Sequence, residues 1–420
     1  MQPAARLAAA IELLAEIGAG GEAADRVVDR YFRNRRYAGK QDRAAINGLV
    51  WYAIRREAAL PWLLDAPLTP RLAAMAAAVL SGFADGATVD QWCTGQGHAP
   101  AALDEGERAA LQRLCLDRPA PDWVLGDYPE DIAPLLQRRF GPRLPAVMAA
   151  MAGRAPLDLR VNSLKAGRDA VLEELRGLGL DVTPSSLSAA GIRVAGRERL
   201  GQLAPFNEGR VEVQDEGSQL VALAMAAEPG QAIADFCAGA GGKTLALAAE
   251  MQGRGRLLAL DIDGFRLKRM EPRLARAGIA EFVEREALTA ELLAREAGRF
   301  DAVLVDAPCS LSGTWRRNPQ ARKMATVERV AELAALQGRI LDQAATLVRP
   351  GGRLVYATCS VFIEEDEDVV EGFLSRNTRF ALGDHVDRLP GLQAGRFGLA
   401  LDPEAQGTDG FFLSVLTRAA

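Results

Sequence analysis

Beyond about Val213 the chain alternates between two periodicities. Short runs of β-branched and apolar residues (QAIADFCA, GRLLALDID, AEFVERE, RFDAVLVDA and GGRLVYATC) are separated by longer stretches with helical spacing, such as GGKTLALAAEMQ, GFRLKRMEPRLARAG and TVERVAELAALQGRILDQAATLV. A helix between successive strands carries the chain back to the starting edge, so neighbouring strands run parallel and helices cover both faces. The pattern predicts an α/β, Rossmann-like domain with a mostly parallel sheet over residues 213–420. A last run, DGFFLSVLTR, predicts an edge strand.

Upstream the pattern differs. Residues 1–120 are rich in Ala and Leu with helical periodicity, and predict a small all-α bundle. Within DRAAINGLVWYAIRREAALPWLL, the spacing puts Ile46, Leu49, Val50, Ile54 and Leu60 on one helix face. A proline-rich linker, LDRPAPDWV, leads into residues 121–212. There PLDLRVNSLK, LDVTPSS and GIRVAG read as strands and GRDAVLEELRGLG as a helix, a small α+β domain.

Composition narrows the chemistry. The chain has 420 residues, 49% hydrophobic, with formal net charge −5, so nucleic-acid binding has to rest on local patches. The five cysteines (Cys93, Cys115, Cys237, Cys309 and Cys359) contain no CxxC pair, which argues against a disulfide framework or a zinc site. With only His98 and His385, a histidine metal site or triad is disfavoured, and no metal is expected. MQPAARLAAAIELLAEIGAG reads as an amphipathic helix and not a signal peptide, and no apolar run is long enough to span a membrane. A cytoplasmic location, where thiols stay reduced, is the expectation.

DFCAGAGGKT follows the first strand of the alternating region and opens a helix. A phosphate-binding P-loop requires glycine where Cys237 stands, and a nicotinamide G-x-G-x-x-G requires one at Thr244. A third reading is a loop cradling S-adenosyl-L-methionine, with Gly239, Gly241 and Gly242 allowing the ligand close to the backbone. Asp261 closes the second strand about twenty residues on, where an acid accepts hydrogen bonds from ribose hydroxyls.

Parallel sheets bind ligands beyond the carboxyl ends of their strands. Asp306 and Cys309 (VLVDAPCSLSGTWRRNP) and Cys359 (GGRLVYATCS) all fall at such ends. A methyl donor beside two thiols suits methylation of cytosine C5, a weak carbon nucleophile until a thiolate adds at C6. Free cysteine is otherwise a small buried hydrophobe, the reading taken for Cys93 and Cys115; Cys237 reads as packing within the loop.

DFCAGAGGKT, DAPCS, SGTWRRNP, YATCS and QDEGSQLVA together resemble the motifs of the Sun (RsmB-like) family of RNA cytosine-C5 methyltransferases, over roughly residues 120–420. The helical region is similar to that family's NusB-like domain, and 121–212 to its small RNA-binding domain. The resemblance implies a class I methyltransferase domain using S-adenosyl-L-methionine. It implies Cys359 as the nucleophile, Cys309 as the residue that helps release the methylated base, and Asp306 and Lys243 as contacts to the cytosine. For the cofactor it implies Cys237, Ala238, Gly239, Ala240, Gly241, Gly242, Lys243, Asp261, Arg266 and Asp306, with Glu286 standing where the family carries an adenine-side aspartate.

The implied partner is RNA, 16S rRNA ahead of the rest, in a partly assembled small subunit; a tRNA enzyme and a non-catalytic RNA-binding assembly factor are the alternatives. No membrane and no obligate protein partner are indicated. Arg316, Arg317, Arg322 and Lys323, beside Cys309, are candidates to hold phosphates, and Arg30, Arg33, Arg35, Arg36, Lys40 and Arg43 are a further candidate patch; a solvated charged face is the alternative for both, and for the second cluster the sequence favours neither reading. Arg160 and Asn162 are implied to contact RNA or the catalytic domain. The run EEDEDVV after Cys359 reads as acids at a helix N-terminus.

Overall fold

The computed structural model describes residues 1–114, 118–196, 200–383, 389 and 391–420; Cys115 and His385 lie outside these. The chain divides into two compact units, Met1–Ala133 and Pro134–Ala420.

The described residues of the first unit form helices and no strands. Helices Pro3–Gly18, Lys40–Arg55 and Pro70–Leu80 surround a core containing Leu7, Leu13, Ile46, Leu49, Val50 and Met75. Cys93 is buried there, as expected of a structural thiol. Leu60 does not continue the helix of Ile46 and Ile54: that helix stops at Arg55, and Leu60 opens a new one, Leu60–Leu64. Pro61 explains the break, because its ring bars continuation of a helix yet suits a first turn.

The second unit carries two sheets. In the smaller, β1 (Leu157–Val161), β2 (Val182–Pro184), β3 (Gly191–Val194) and β4 (Val211–Val213) pair antiparallel in the order β2-β3-β1-β4. Helix Arg168–Gly177 covers one face, burying Val171, Leu172 and Leu175 against Leu159, Val161 and Ile192. The three-residue β4 carries too few residues for a periodic signal.

The larger sheet contains β5 (Ala232–Asp235), β6 (Arg256–Asp261), β7 (Val283–Ala287), β8 (Phe300–Asp306), β9 (Val348–Thr358), β10 (Phe380–Leu382), β11 (Leu399–Leu401) and β12 (Phe411–Arg418). Its order is β10-β12-β9-β8-β5-β6-β7, with β11 also on β12. Strands β5 to β9 run parallel, and their buried runs form two apolar layers with the covering helices. Contrary to the expected edge strand, β12 is interior: it runs antiparallel between β9 on one side and β10 and β11 on the other. Its residues Phe411 to Leu416 are all buried, the mark of a strand covered on both faces. Among the described residues, no helix is long and apolar enough to cross a membrane.

The topology places the site. Strand β5 lies between β6 and β8, so its connections diverge to opposite directions, and such a switch point opens a crevice at the carboxyl edge.

Candidate active site

Asp235 ends β5, a six-residue loop follows, and helix Gly242–Glu250 begins. The loop is tied to the neighbouring strand end. Gly239 N–H donates to Asp261 Oδ2 at 2.9 Å, and Ala238 N–H to the Leu260 carbonyl at 2.9 Å. The other Asp261 oxygen accepts from Asp263 N–H at 2.9 Å, and Arg266 stands 4.0 Å from the carboxylate.

The glycines serve different ends. Gly239 has φ +54°, and a Cβ there would meet no atom closer than the Cys237 carbonyl oxygen at 4.0 Å, as a cradle left clear for a ligand requires. A Cβ at Gly242 would likewise meet no atom closer than Arg273 at 3.9 Å. Gly241 is otherwise: at φ +84° its Cβ would come 2.4 Å from Met270 Cγ, on helix Gly264–Ala277. Close packing of that helix, rather than ligand approach, demands glycine at 241. This loop and Asp261 fit S-adenosyl-L-methionine. Residues 237–242 with Arg266 would border it and Asp261 would meet the ribose. Cys237 is half-buried, and burial pushes its thiol pKa up, as for a packing residue.

The thiols lie on the other side of the switch point. Strands β8 and β9 are parallel, with Asp306 opposite Ala357, so the turns after them leave the same edge side by side. Cys309 and Cys359 come to 3.4 Å, sulfur to sulfur. The hydrogen bond to Cys359, then burial, hold the Cys309 thiol well above its ordinary pKa, and either sulfur can donate to the other. Lys243, at the start of the loop helix, is buried and donates to Asp306 Oδ2 at 2.6 Å. Burial works against its ammonium, but Asp306 outweighs it and the lysine pKa is raised. The Phe411 ring lies 5.6 Å from the same nitrogen.

Two acids at the site were not singled out from the sequence. Asp235 is fully buried; one oxygen accepts from Thr244 Oγ1 at 2.7 Å and the other has no partner. Burial lifts its pKa to about 7. Glu365 lies within EEDEDVV, read as helix-terminal acids. Glu367 and Asp368 do occupy the first turn of helix Glu367–Arg376, but Glu365 is buried beneath both cysteine turns. Its carboxylate accepts from Ser310 N–H (2.9 Å), Ser310 Oγ, Ser360 Oγ (2.6 Å) and Gln337 Nε2 (2.9 Å). No spacing rule distinguishes it from its acidic neighbours.

Other expected residues are placed elsewhere. Glu286 sits one residue off: Asp261 is opposite Ala287, and the Glu286 carboxylate pairs with Arg295 at 2.7 Å. Successive strand residues face opposite sides, so a shift of one position removes the side chain from Asp261's face. Arg316 and Arg322 are buried. Arg316 pairs with Asp409 at 2.6 Å, and Arg322 donates to the Met151 carbonyl, so neither is exposed to a phosphate. Arg317 joins Asp215 at 2.7 Å and Asp409 at 2.5 Å, bracing the loop after Cys309. Lys323 is exposed.

Arg160 and Asn162 link the small sheet to helices Gly242–Glu250 and Gly264–Ala277 beside the larger sheet. Asn162 Nδ2 donates to the carbonyls of Gly209 and Ala277, and buried Arg160 to Gln214 at 2.6 Å and Leu245 O at 3.4 Å. In the helical unit Arg30 pairs with Glu16 and Glu22, and Arg35 pairs with Glu12 and covers the Tyr31 ring. Arg43 bonds the Ala38 carbonyl, while Arg33, Arg36 and Lys40 are exposed.

Residues 222–417 match a family model described as 16S rRNA methyltransferase RsmB/F, and 128–199 match the ferredoxin-like domain of RsmF/B-like methyltransferases. A ribosomal RNA small subunit methyltransferase B from Xanthomonas campestris is 30% identical over 407 residues, covering 90% of each chain. The crystal structure of PH0851 shares the fold over 99% of both chains, with TM-score 0.80 and 24% identity. A methyltransferase homologue from Pyrococcus horikoshii covers 71% of this chain and 97% of its own, with TM-score 0.61 and 26% identity. With a glycine loop and acid on one side, a thiol pair on the other, and a relative matched over 90% of both chains at this identity, the chain belongs to the RsmB/F, or Sun, family of S-adenosylmethionine-dependent RNA methyltransferases.

Proposed function

We propose that this chain methylates C5 of a cytosine in small-subunit ribosomal RNA through a covalent adduct between Cys359 and C6. The observation that carries the mechanism is the sulfur pair at 3.4 Å beside the Lys243–Asp306 ion pair. S-adenosyl-L-methionine supplies an electrophilic methyl group. The Cys359 thiolate adds to C6, forming a C–S bond and pushing the C5=C6 electrons onto C5. Lys243, kept charged by Asp306, offsets the negative charge spread through the ring. C5 takes the methyl group. Its proton then passes to the Asp306 carboxylate, the C–H electrons re-form C5=C6, and the C–S bond breaks. Cys359 leaves as thiolate, and the Cys309 S–H, within reach of it at 3.4 Å, donates to and stabilises the departing sulfur.

The base has to reach these residues unpaired, because base atoms within a stacked duplex are inaccessible. A partly assembled small subunit in the cytosol meets that requirement. Two measurements test the reading. Bisulfite sequencing of rRNA and tRNA, with and without the gene, should lose one 5-methylcytosine in small-subunit rRNA. Loss at a tRNA position instead would replace the substrate and keep the mechanism; no loss in either would favour a non-catalytic assembly role. Cys309→Ala should accumulate a protein–RNA adduct resistant to denaturing gels, and its absence would remove the release role of Cys309.

A further inference from the structure

We infer that Glu365 is a positioning residue that sets the separation of the two thiols by clamping the serine that follows each of them. The inference rests on the catalytic roles proposed for Cys309 and Cys359. The dipeptide Cys-Ser recurs at both strand ends. Ser310 and Ser360 are buried, and both hydroxyls donate to one oxygen of Glu365. The other oxygen accepts from Ser310 N–H and from Gln337 Nε2, each at 2.9 Å. Gln337 also holds the Pro308 carbonyl at 2.9 Å, so the residues on both sides of Cys309 are fixed to the same centre.

Four donors meet the four lone-pair positions of one carboxylate, an arrangement that uses the full acceptor capacity of its two oxygens. The two turns belong to different strand–helix units and are distant in sequence. A shared buried acceptor converts their separation into a fixed dimension. The sulfur contact at 3.4 Å is the result at the reacting end. Burial of a lone carboxylate is costly without such donors, so the group's place under the turns is held by function of the network and not by packing alone.

Glutamine at 365 can turn its oxygen toward Ser310 N–H and Gln337, and its amide toward hydroxyls rotated to accept. Alanine removes the centre altogether. Methylation of an unmodified small-subunit rRNA transcript by Glu365→Ala should therefore fall at least 100-fold in kcat, with KM for RNA and cofactor affinity within about threefold of wild type. Glu365→Gln should recover to within tenfold of wild type, and Ser360→Ala should lose three- to tenfold. A second readout needs no RNA. Phenylarsine oxide joins two adjacent thiols, forming two As–S bonds and releasing water. Wild type should bind one equivalent that Cys309→Ala does not; Glu365→Ala should bind it at least tenfold more weakly. Wild-type kcat and arsenical affinity in folded Glu365→Ala overturn the clamp, as do equal losses of kcat and cofactor affinity. If Glu365→Ala does not fold, wild-type kcat in both Glu365→Gln and Ser360→Ala overturns it. Failure of the catalytic reading registers separately, as full methylation by Cys359→Ala.

Discussion

The two halves of the site are built by different means. On the cofactor side a loop is shaped by backbone: left-handed glycines, a helix start, and carboxylate oxygens that accept peptide N–H groups from Gly239 and Asp263. On the thiol side the backbone supplies only neighbouring strand ends. Side chains do the rest, through a buried network of Ser310, Ser360, Gln337 and Glu365 and an ion pair between Lys243 and Asp306. The difference teaches where each half is vulnerable. Added bulk disturbs the first, and deletion of single polar atoms disturbs the second.

The sharpest break is on the thiol side. Cys359→Ala should abolish turnover, by on the order of 10⁴-fold or more, while leaving cofactor affinity intact. Single-turnover methylation paired with calorimetry checks this, and normal turnover would move the nucleophile elsewhere. The cofactor side should respond to bulk. Gly241→Ala drives a Cβ into Met270 and a side chain into left-handed φ, for a loss of about 2–4 kcal/mol in denaturant unfolding. Gly239→Ala, whose Cβ would meet nothing closer than the Cys237 carbonyl at 4.0 Å, should cost less stability and more cofactor affinity. If the two glycine variants behave alike, the division between packing and ligand approach fails.

Asp261→Ala removes both the loop's anchor and the proposed ribose acceptor. Cofactor binding should weaken by roughly ten- to a hundredfold, the worth of a hydrogen bond to a charged group; unchanged affinity would exclude the ribose contact.

The smallest effect sits between the halves, at Asp235. Its folded pKa of about 7 lies above the ordinary 3.8, so the folded state holds the proton more tightly. Its penalty is absent below about pH 4, grows as pH rises and is complete above about pH 7. Asp235→Asn should flatten that decline and raise Tm at pH 8 by about 3 °C, with little change at pH 4. An equal shift at both pH values would make the effect one of packing.

Legibility followed the same division. DFCAGAGGKT, Asp261 and the two strand-end thiols were readable because loop and strand-end motifs are local, and parallel topology carries strand ends to one edge. The face that Glu286 takes is not legible in the sequence, since a strand's two faces exchange at every step; the register sets it off Asp261's face. Arg316 and Arg322 read as a phosphate patch because a charge run gives no sign of whether its partners are solvent or Asp409 and a carbonyl. DGFFLSVLTR read as an edge because β10 and β11 are only three residues each, too short to announce the neighbours they supply.

The sequence by itself determined the alternating α/β class, the glycine loop that fits the cofactor, and the pair of cysteines at successive strand ends. These are properties of local periodicity and of backbone conformations open to few residue types. Tertiary structure alone decided that the sulfurs stand 3.4 Å apart, that Lys243 meets Asp306, and that Glu365 is buried between two turns rather than exposed at a helix end. Those features depend on which distant segments share a buried environment. There a polar group must find partners or carry its full desolvation cost, and no local pattern records the partner it finds.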